Sequence, residues 1–287
     1  MRNKKGYVLV IVLLILTVAT ALVIDFSGTV YGYVNTANNF TESERMSLLL
    51  KSVYLLTAEK ALSLSSQLNF SDQRELALEE KIEDTTVGLL LKDNNSKFNV
   101  NLIGATNPVL SETRRLIFSR LLRELKISED YADRLADFID NDKRPIVPGG
   151  EDRAKNYPLS SLNELSYIFP EGVLNTVMPY LTVFGDGKIN INTADLPLLK
   201  ALHPEMSVVL AKRIMEVREG KPFESLAEVA RVPGMEIIGP AIFDVIKFRS
   251  DSFNVVIKAE SNDLVETAEA GFDLSSGRIV TKYWRER

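Results

Sequence analysis

Cysteine does not occur among the 287 residues, so disulfides, thiol nucleophiles and cysteine-ligated metals are all excluded. Histidine is nearly as scarce. His203 stands alone, which leaves no histidine-based zinc site and no histidine-assisted nucleophile. It precedes Pro204 at a predicted helix end and reads as a packed or surface residue. Positive charge is not in excess: 34 Lys and Arg against 39 Asp and Glu give a net charge of −5 and a pI near 5.2. The molecule as a whole therefore offers nucleic acid no electrostatic attraction. No serine, lysine or carboxylate pair has the partners that catalysis requires, so the chain reads as a non-enzyme. Its length suits one large or two modest domains.

What the sequence does hold is a long apolar run at its front. Arg2, Lys4 and Lys5 precede Tyr7–Ile24, which is apolar apart from Thr17 and Thr20. At ~1.5 Å per residue such a helix spans about 27 Å, close to the hydrocarbon thickness of a bilayer. The basic end stays cytoplasmic, so the rest of the chain lies outside. Three fates compete for this segment. A signal peptidase could cut after Ala21, although Leu22, Val23 and Ile24 carry the apolar run through that site. The helix could remain as a plain uncut anchor. Third, a short basic leader ending in Gly6 and followed directly by an apolar helix resembles the signal of type IV pilins and type II secretion pseudopilins. That resemblance implies cleavage after Gly6 by a prepilin peptidase and N-methylation of Tyr7. Those families usually carry Glu at the fifth mature position, where this chain has Ile11.

Beyond the anchor the pattern divides the chain. From Phe26 to Gln67 there is no proline, and Leu48, Leu49, Leu55, Leu56, Leu62 and Leu64 recur at helical spacing among charged residues. Residues 7–67 are thus expected to form one spine helix behind a leader at 1–6, with fraying at Asn35–Thr41. Thr85–Leu91 and Lys97–Ile103 read as two strands of a hairpin joined by Lys92–Ser96, opening a sheet over 85–106. Residues 107–249 are patterned as helices. Ser111 and Ser128 are candidate N-caps, and Ser161-x-x-Glu164 and Ser225-x-x-Glu228 have capping-box form. Over 250–287 alternation returns: Phe253, Val255, Ile257 and Ala259 share a face, then Leu264–Leu274 and Ile279–Trp284 follow. The expected class is α+β. A long N-terminal helix and an antiparallel sheet form a pilin-like frame with a large all-α domain inserted in the sheet.

Several motifs sharpen this into a family resemblance. Asp93-Asn94-Asn95-Ser96-Lys97-Phe98-Asn99-Val100-Asn101 is similar to the D-x-x-G-x-F-N-L-N segment of general secretion pathway protein K, the minor pseudopilin K of type II secretion. Asp137-Phe138-Ile139-Asp140-Asn141-Asp142 resembles its D-W-I-D-x-D, and Gly149-Gly150-Glu151-Asp152 its G-A-E-D. Ile189-Asn190-Ile191-Asn192-Thr193-Ala194 matches I-N-x-N-T-A. Phe138, Ser96 and Gly150 stand where the family has Trp, Gly and Ala. That family also lacks the fifth-position Glu. The resemblance implies a single-pass protein of the bacterial inner membrane with its bulk in the periplasm. It implies a place at the tip of the pseudopilus with minor pseudopilins I and J, where assembly starts. Further expected partners are the major pseudopilin, other type II secretion components and the processing peptidase. Ile11 then marks a subunit with no neighbour ahead whose N-terminal amine would need that Glu.

Two constellations bear on ligands. Asp133, Asp137 and Asp140 fall at i, i+4 and i+7 of a helix, with Asp142, Glu151 and Asp152 in the loop after it. Acids at a helix C-terminus oppose its dipole and call for an offset. Lys143, Arg144 and Arg153 could supply it from a solvated face. The alternative is calcium, which the family resemblance implies, held by Asp137, Asp140, Asp142, Glu151 and Asp152 as hard oxygen donors. The second constellation, Ile189–Ile246, resembles the helix-hairpin-helix and SAM-like modules of DNA-binding proteins. It would support a rival reading, a membrane-anchored periplasmic protein for DNA uptake. Its first hairpin, His203–Ser207, has no glycine, its second keeps only Gly234, and acids match the basic residues throughout. The packing motif is therefore expected without its phosphate site, and no nucleic-acid partner.

Overall fold

The computed structural model describes residues 4–63, 75–261, 264–275 and 277–287. α1 (Lys4–Ser63) is one uninterrupted helix of 60 residues. Proline is absent from it, and the hydroxyls of Thr17, Thr20, Thr29, Thr36 and Thr41 bond back to carbonyls of the preceding turn. The polar stretch Asn35–Thr41 therefore stays helical rather than fraying. Residues 64–67 of the expected spine, Leu64 among them, lie outside the described residues. One correction concerns its buried face. Met46, Leu50, Tyr54, Ala58 and Ala61 meet the sheet, whereas Leu48, Leu55 and Leu56 point outward. The first set keeps a stripe of i, i+4 and i, i+3 steps along one side of the helix; of the leucines named from the sequence, Leu49 packs at its border and Leu48, Leu55 and Leu56 lie off it.

β1 (Glu75–Ile82) and β2 (Thr85–Asp93) form an antiparallel hairpin through a tight turn at Glu83, whose φ is 55°. The chain then leaves the sheet. β3 (Phe98–Asn99) and a 3₁₀ turn, Val100–Gly104, lead into α2 (Pro108–Glu124), α3 (Asp130–Ile139) and α4 (Glu171–Val177). β4 (Leu181–Thr182), β5 (Ile189–Asn190), α5 (Leu196–Ala201), α6 (Val208–Gly220), α7 (Leu226–Ala230), α8 (Ile238–Ala241) and β6 (Ile246–Lys247) follow. The chain returns as β7 (Ser252–Ser261), β8 (Leu264–Ser275) and β9 (Arg278–Glu286). Together these make a five-stranded antiparallel sheet in the order β1-β2-β7-β8-β9. The α+β, pilin-like architecture expected from the sequence is the one observed.

The expected hairpin of 85–91 with 97–103 is not formed. Asp93 and Asn95 turn the chain away: the Asp93 carboxylate accepts the Asn95 N–H at 2.7 Å, and Asn95 Oδ1 accepts the N–H groups of Asp251 and Ser252 at 3.0 Å. Phe98 enters the helical core instead and stacks on Phe118 at 5.4 Å. β2 pairs with β1, whose charged sequence ELALEEKI suits an exposed edge and carries little strand signal. Ser111 is not a cap either. Asn107 caps α2, and the Ser111 hydroxyl bonds to the Ile103 carbonyl.

Two cores result. One lies between α1 and the sheet, with Phe253, Val255, Ile257, Ala259 and Phe272 at its centre. The other fills the helical part from Phe98 to Ile246. That helical part is built twice. β3 pairs in parallel with β4, and β5 in parallel with β6. In the first unit Asn99 accepts from Asn101 N–H at 3.0 Å, and in the second Asn190 accepts from Asn192 N–H at 2.9 Å. Asn101 then clasps Leu159 and Val183, and Asn192 clasps Phe223 and Phe248. A capping segment follows in each unit: Ser161 and Glu164 close both bonds of their box, while the Ser225 hydroxyl accepts no capping bond and Glu228 accepts from Glu224 N–H.

Candidate functional site

Three places concentrate unusual chemistry. The first is α1 itself. It is the one helix among the described residues long and apolar enough to cross a membrane, and none of its most apolar window is buried. Leu9, Leu14, Leu22 and Ile24 are all more than half exposed, and Ile11 is 40% exposed on the same bare segment. Gly6 and Tyr7 lie in the first turns of this helix.

The second is the junction where the helical part meets the sheet. Asp93 is fully buried at the end of β2. Its Oδ2 accepts the hydroxyls of Thr193 and Ser250, each at 2.6 Å, so one carboxylate ties the first exit, the second unit and the return to β7. Burial pushes the Asp93 pKa up from 3.8, against the lowering effect of these hydrogen bonds.

The third is the acidic group at the end of α3. Asp137 is fully buried, and its carboxylate accepts the backbone N–H groups of Ile146 at 2.7 Å and Val147 at 3.0 Å. Carboxylate oxygens of Asp137, Asp140 and Glu151 lie within 4.8 Å of one another. Asp140 Oδ1 and both Glu151 oxygens are buried without a hydrogen-bond partner. Burial, then the charges of Asp142, Glu151 and Asp137, push the Asp140 pKa up to about 6. Asp142 and Asp152 are not brought into the group. Asp142 is exposed and folds its carboxylate onto the Arg144 N–H at 2.7 Å, and Asp152 faces outward on the 3₁₀ turn Gly150–Arg153. Asp133, on the same stripe of the helix, pairs with Arg115. Lys143 and Arg144 are exposed, and neither forms an ion pair with the three acids. A solvated face balanced by basic neighbours therefore accounts for Asp133 and Asp142 but not for Asp137, Asp140 and Glu151. Crowded carboxylates with unused oxygens on a Pro/Gly-rich loop fit a hard cation such as Ca²⁺.

Comparison with known proteins follows the same segments. Residues 96–186 match one family model described as type II secretion system (T2SS), protein K, and residues 189–242 match another with the same description. The chain belongs to the type II secretion system protein K family. The two models meet where the first helical unit gives way to the second. A type II secretion system protein K of Pectobacterium carotovorum is 27% identical over 273 residues, covering 81% of this chain and 80% of its own length. Those of Klebsiella pneumoniae and Pseudomonas aeruginosa are 24% and 28% identical. Their alignments cover 54% and 47% of this chain, and span 55% and 45% of the relatives' own lengths, about half. A crystal structure of the GspK-GspI-GspJ complex from the enterotoxigenic Escherichia coli type 2 secretion system contains a chain of the same fold. Its TM-score is 0.63 at 17% identity, over 86% of this chain and 99% of that one. Membership in the protein K family carries the non-enzymatic reading with it.

The helix-hairpin-helix likeness inside this protein K chain ends at the hairpins. Gly234 holds φ +96°, as a phosphate-binding turn would require, yet its N–H donates to Glu236 Oε2 at 2.9 Å. The chain's own carboxylate thus takes this N–H. In the first hairpin the Glu205 N–H donates to His203 Nδ1 at 3.2 Å. Arg218, one of the basic residues of this segment, is buried and donates to the Ile191 and Ala194 carbonyls at 2.8 Å.

Proposed function

We propose that this chain is a minor pseudopilin of the type II secretion system, placed at the tip of the periplasmic pseudopilus, where it helps start assembly for export across the outer membrane. The observation that carries the reading is α1. Its front is apolar and touches nothing in the fold, while its rear packs on the sheet, so one helix serves as membrane anchor and then as filament spine. The chain would cross the inner membrane once and hold its sheet and helical units in the periplasm. By analogy with the complex that contains its structural counterpart, its direct partners would be the minor pseudopilins I and J, with the major pseudopilin and other secretion components behind them. No nucleic-acid partner belongs to this reading, since a carboxylate takes the Gly234 N–H. Mass spectrometry of the mature N-terminus tests it. N-methyl-Tyr7, left by a prepilin peptidase cutting after Gly6, is the expected species; Leu22 would mean ordinary secretion, and Met1 a plain anchor.

Calcium belongs to the same proposal. Asp137, Asp140 and Glu151 would hold it, with Asp142 and Asp152 able to reach it only if their exposed side chains turned inward. A bound divalent cation would offset two of the three carboxylate charges and pin the 139–153 loop to α3. Adding calcium to the metal-free protein should raise its melting temperature, and the Glu151→Gln variant should lose most of that rise. An unchanged melting temperature would leave the protein K assignment standing and remove the cation.

A further inference from the structure

Among the described residues the five-stranded sheet ends at β9 with no further strand. Arg287 exchanges both backbone hydrogen bonds with Thr267, at 3.0 and 2.8 Å. In an antiparallel ladder the alternate residues, Glu286 and Trp284, therefore aim their N–H and C=O groups away from the sheet. The bulge opposite Gly271/Phe272 lies before them, and Tyr283–Glu286 keep an unbroken register with β8. This half of β9 is an open template for one more strand.

The charged side chains beside that edge are basic but for one. Arg278, Lys282, Arg285 and Arg287 accompany a single acid, Glu286, whose carboxylate is held by Lys51 at 3.2 Å and by Ser47 at 2.8 Å. Lys282 is paired with Asp273 at 3.0 Å, and Arg285 lies over the Tyr283 ring at 5.2 Å. A basic strip has formed on a chain whose net charge is −5. Next to it, between the sheet and the first helical unit, opens a polar cleft of about 360 Å³ lined by Ser160, Asn163, Phe184, Glu269, Arg285 and Arg287. Phe184 stacks on Tyr283 at 5.2 Å and fixes the cleft wall to the strand. Glu269, the acid of the cleft, accepts the Tyr283 hydroxyl at 3.2 Å. β1, at the opposite edge, has the reverse composition, with Glu75, Glu79 and Glu80 against Lys81.

We propose that the C-terminal half of β9 is a docking edge for an extended, acid-rich segment of a partner protein, which adds as a sixth strand and sends carboxylates to Arg285 and Arg287. Main-chain hydrogen bonds supply the attachment and the basic strip selects the sign of the partner.

The test uses the full chain in detergent micelles and a synthetic peptide of sequence ELALEEKI, with a charge-inverted peptide carrying Lys for each Glu and Glu for Lys. Amide exchange at Trp284 and Glu286 should slow about ten-fold with the acidic peptide and not with the inverted one. The effect should fade at about 0.5 M salt. The Arg285→Glu/Arg287→Glu variant should reverse the preference, which also shows that it remains folded. Equal protection by both peptides, or none by either, would overturn the proposal and leave the arginines as charges that keep the edge apart. Protection of β9 that rises with protein concentration and needs no peptide would assign the edge to a second copy and overturn it as well.

Discussion

Gly150 lies so close to Asp137 that a Cβ at residue 150 would overlap the Asp137 carboxylate. That carboxylate is fixed by the Ile146 and Val147 N–H groups, so it cannot retreat without freeing the loop that carries Glu151. Gly150→Ala should cost about 1–3 kcal/mol through overpacking, read as a lower melting temperature. Faster amide exchange at Ile146 and Val147 should accompany it. Unchanged exchange at both would show that the loop is not hung on Asp137.

Asp93 governs a different joint. Asp93→Ala leaves the Thr193 and Ser250 hydroxyls and the Asn95 N–H without their acceptor, and should cost about 2–4 kcal/mol. Its pH dependence has a definite sign. Burial raises the folded pKa above 3.8, so the folded chain holds this proton more tightly than the unfolded one. The contribution is therefore fullest below 3.8 and declines as pH rises through the elevated folded value. The stability of the native protein relative to Asp93→Asn should fall as pH is raised from 4 upward, measured by denaturant unfolding at each pH. A difference that grows with pH would reverse the assignment.

These two residues also show what the sequence could and could not reveal. The α1 spine was legible from its long apolar, proline-free run, though its buried face was not; the β7 face of Phe253, Val255, Ile257 and Ala259 and the helical character of 107–249 were legible because each rests on a repeated pattern of burial. Asp93 was legible only as part of a family motif. Its partners Thr193 and Ser250 lie far along the chain, and no local period connects them. β1 was missed because an edge strand that buries little need not alternate. Among the acids, helical spacing placed Asp133, Asp137 and Asp140 on one side equally. Burial separated them: Arg115 takes the first, and Glu151 joins the others through a loop whose path depends on Gly150.

Ile11 opens the proposed tip position to a direct test. It lies on the bare apolar front of α1, where an unpaired carboxylate in lipid would be costly unless a neighbouring amine met it. Ile11→Glu should allow the chain into the shaft of the pseudopilus, where each subunit has such a neighbour. Immunogold labelling along sheared pseudopili is the readout. Labelling that stays at one end would show that residue 11 does not decide placement.

The doubled helical units allow one comparison inside a single chain. Asn101 and Asn192 hold equivalent positions, and each donates twice through Nδ2 and accepts once through Oδ1. Their surroundings differ. Asn192 is buried at 2% exposure, so truncation strands the Phe223 N–H and the Phe223 and Phe248 carbonyls in the core. Asn101 is only partly buried, and water can replace some of what it holds. Asn192→Ala should therefore cost about 3–5 kcal/mol and Asn101→Ala about half as much, compared by denaturant unfolding. Asn192→Asp should be worse than Ala at neutral pH, because a carboxylate offers no hydrogen to the two carbonyls and sets a charge against them. Equal costs at the two positions would mean that the hydrogen-bond pattern alone, and not its burial, sets the strength of the clasp.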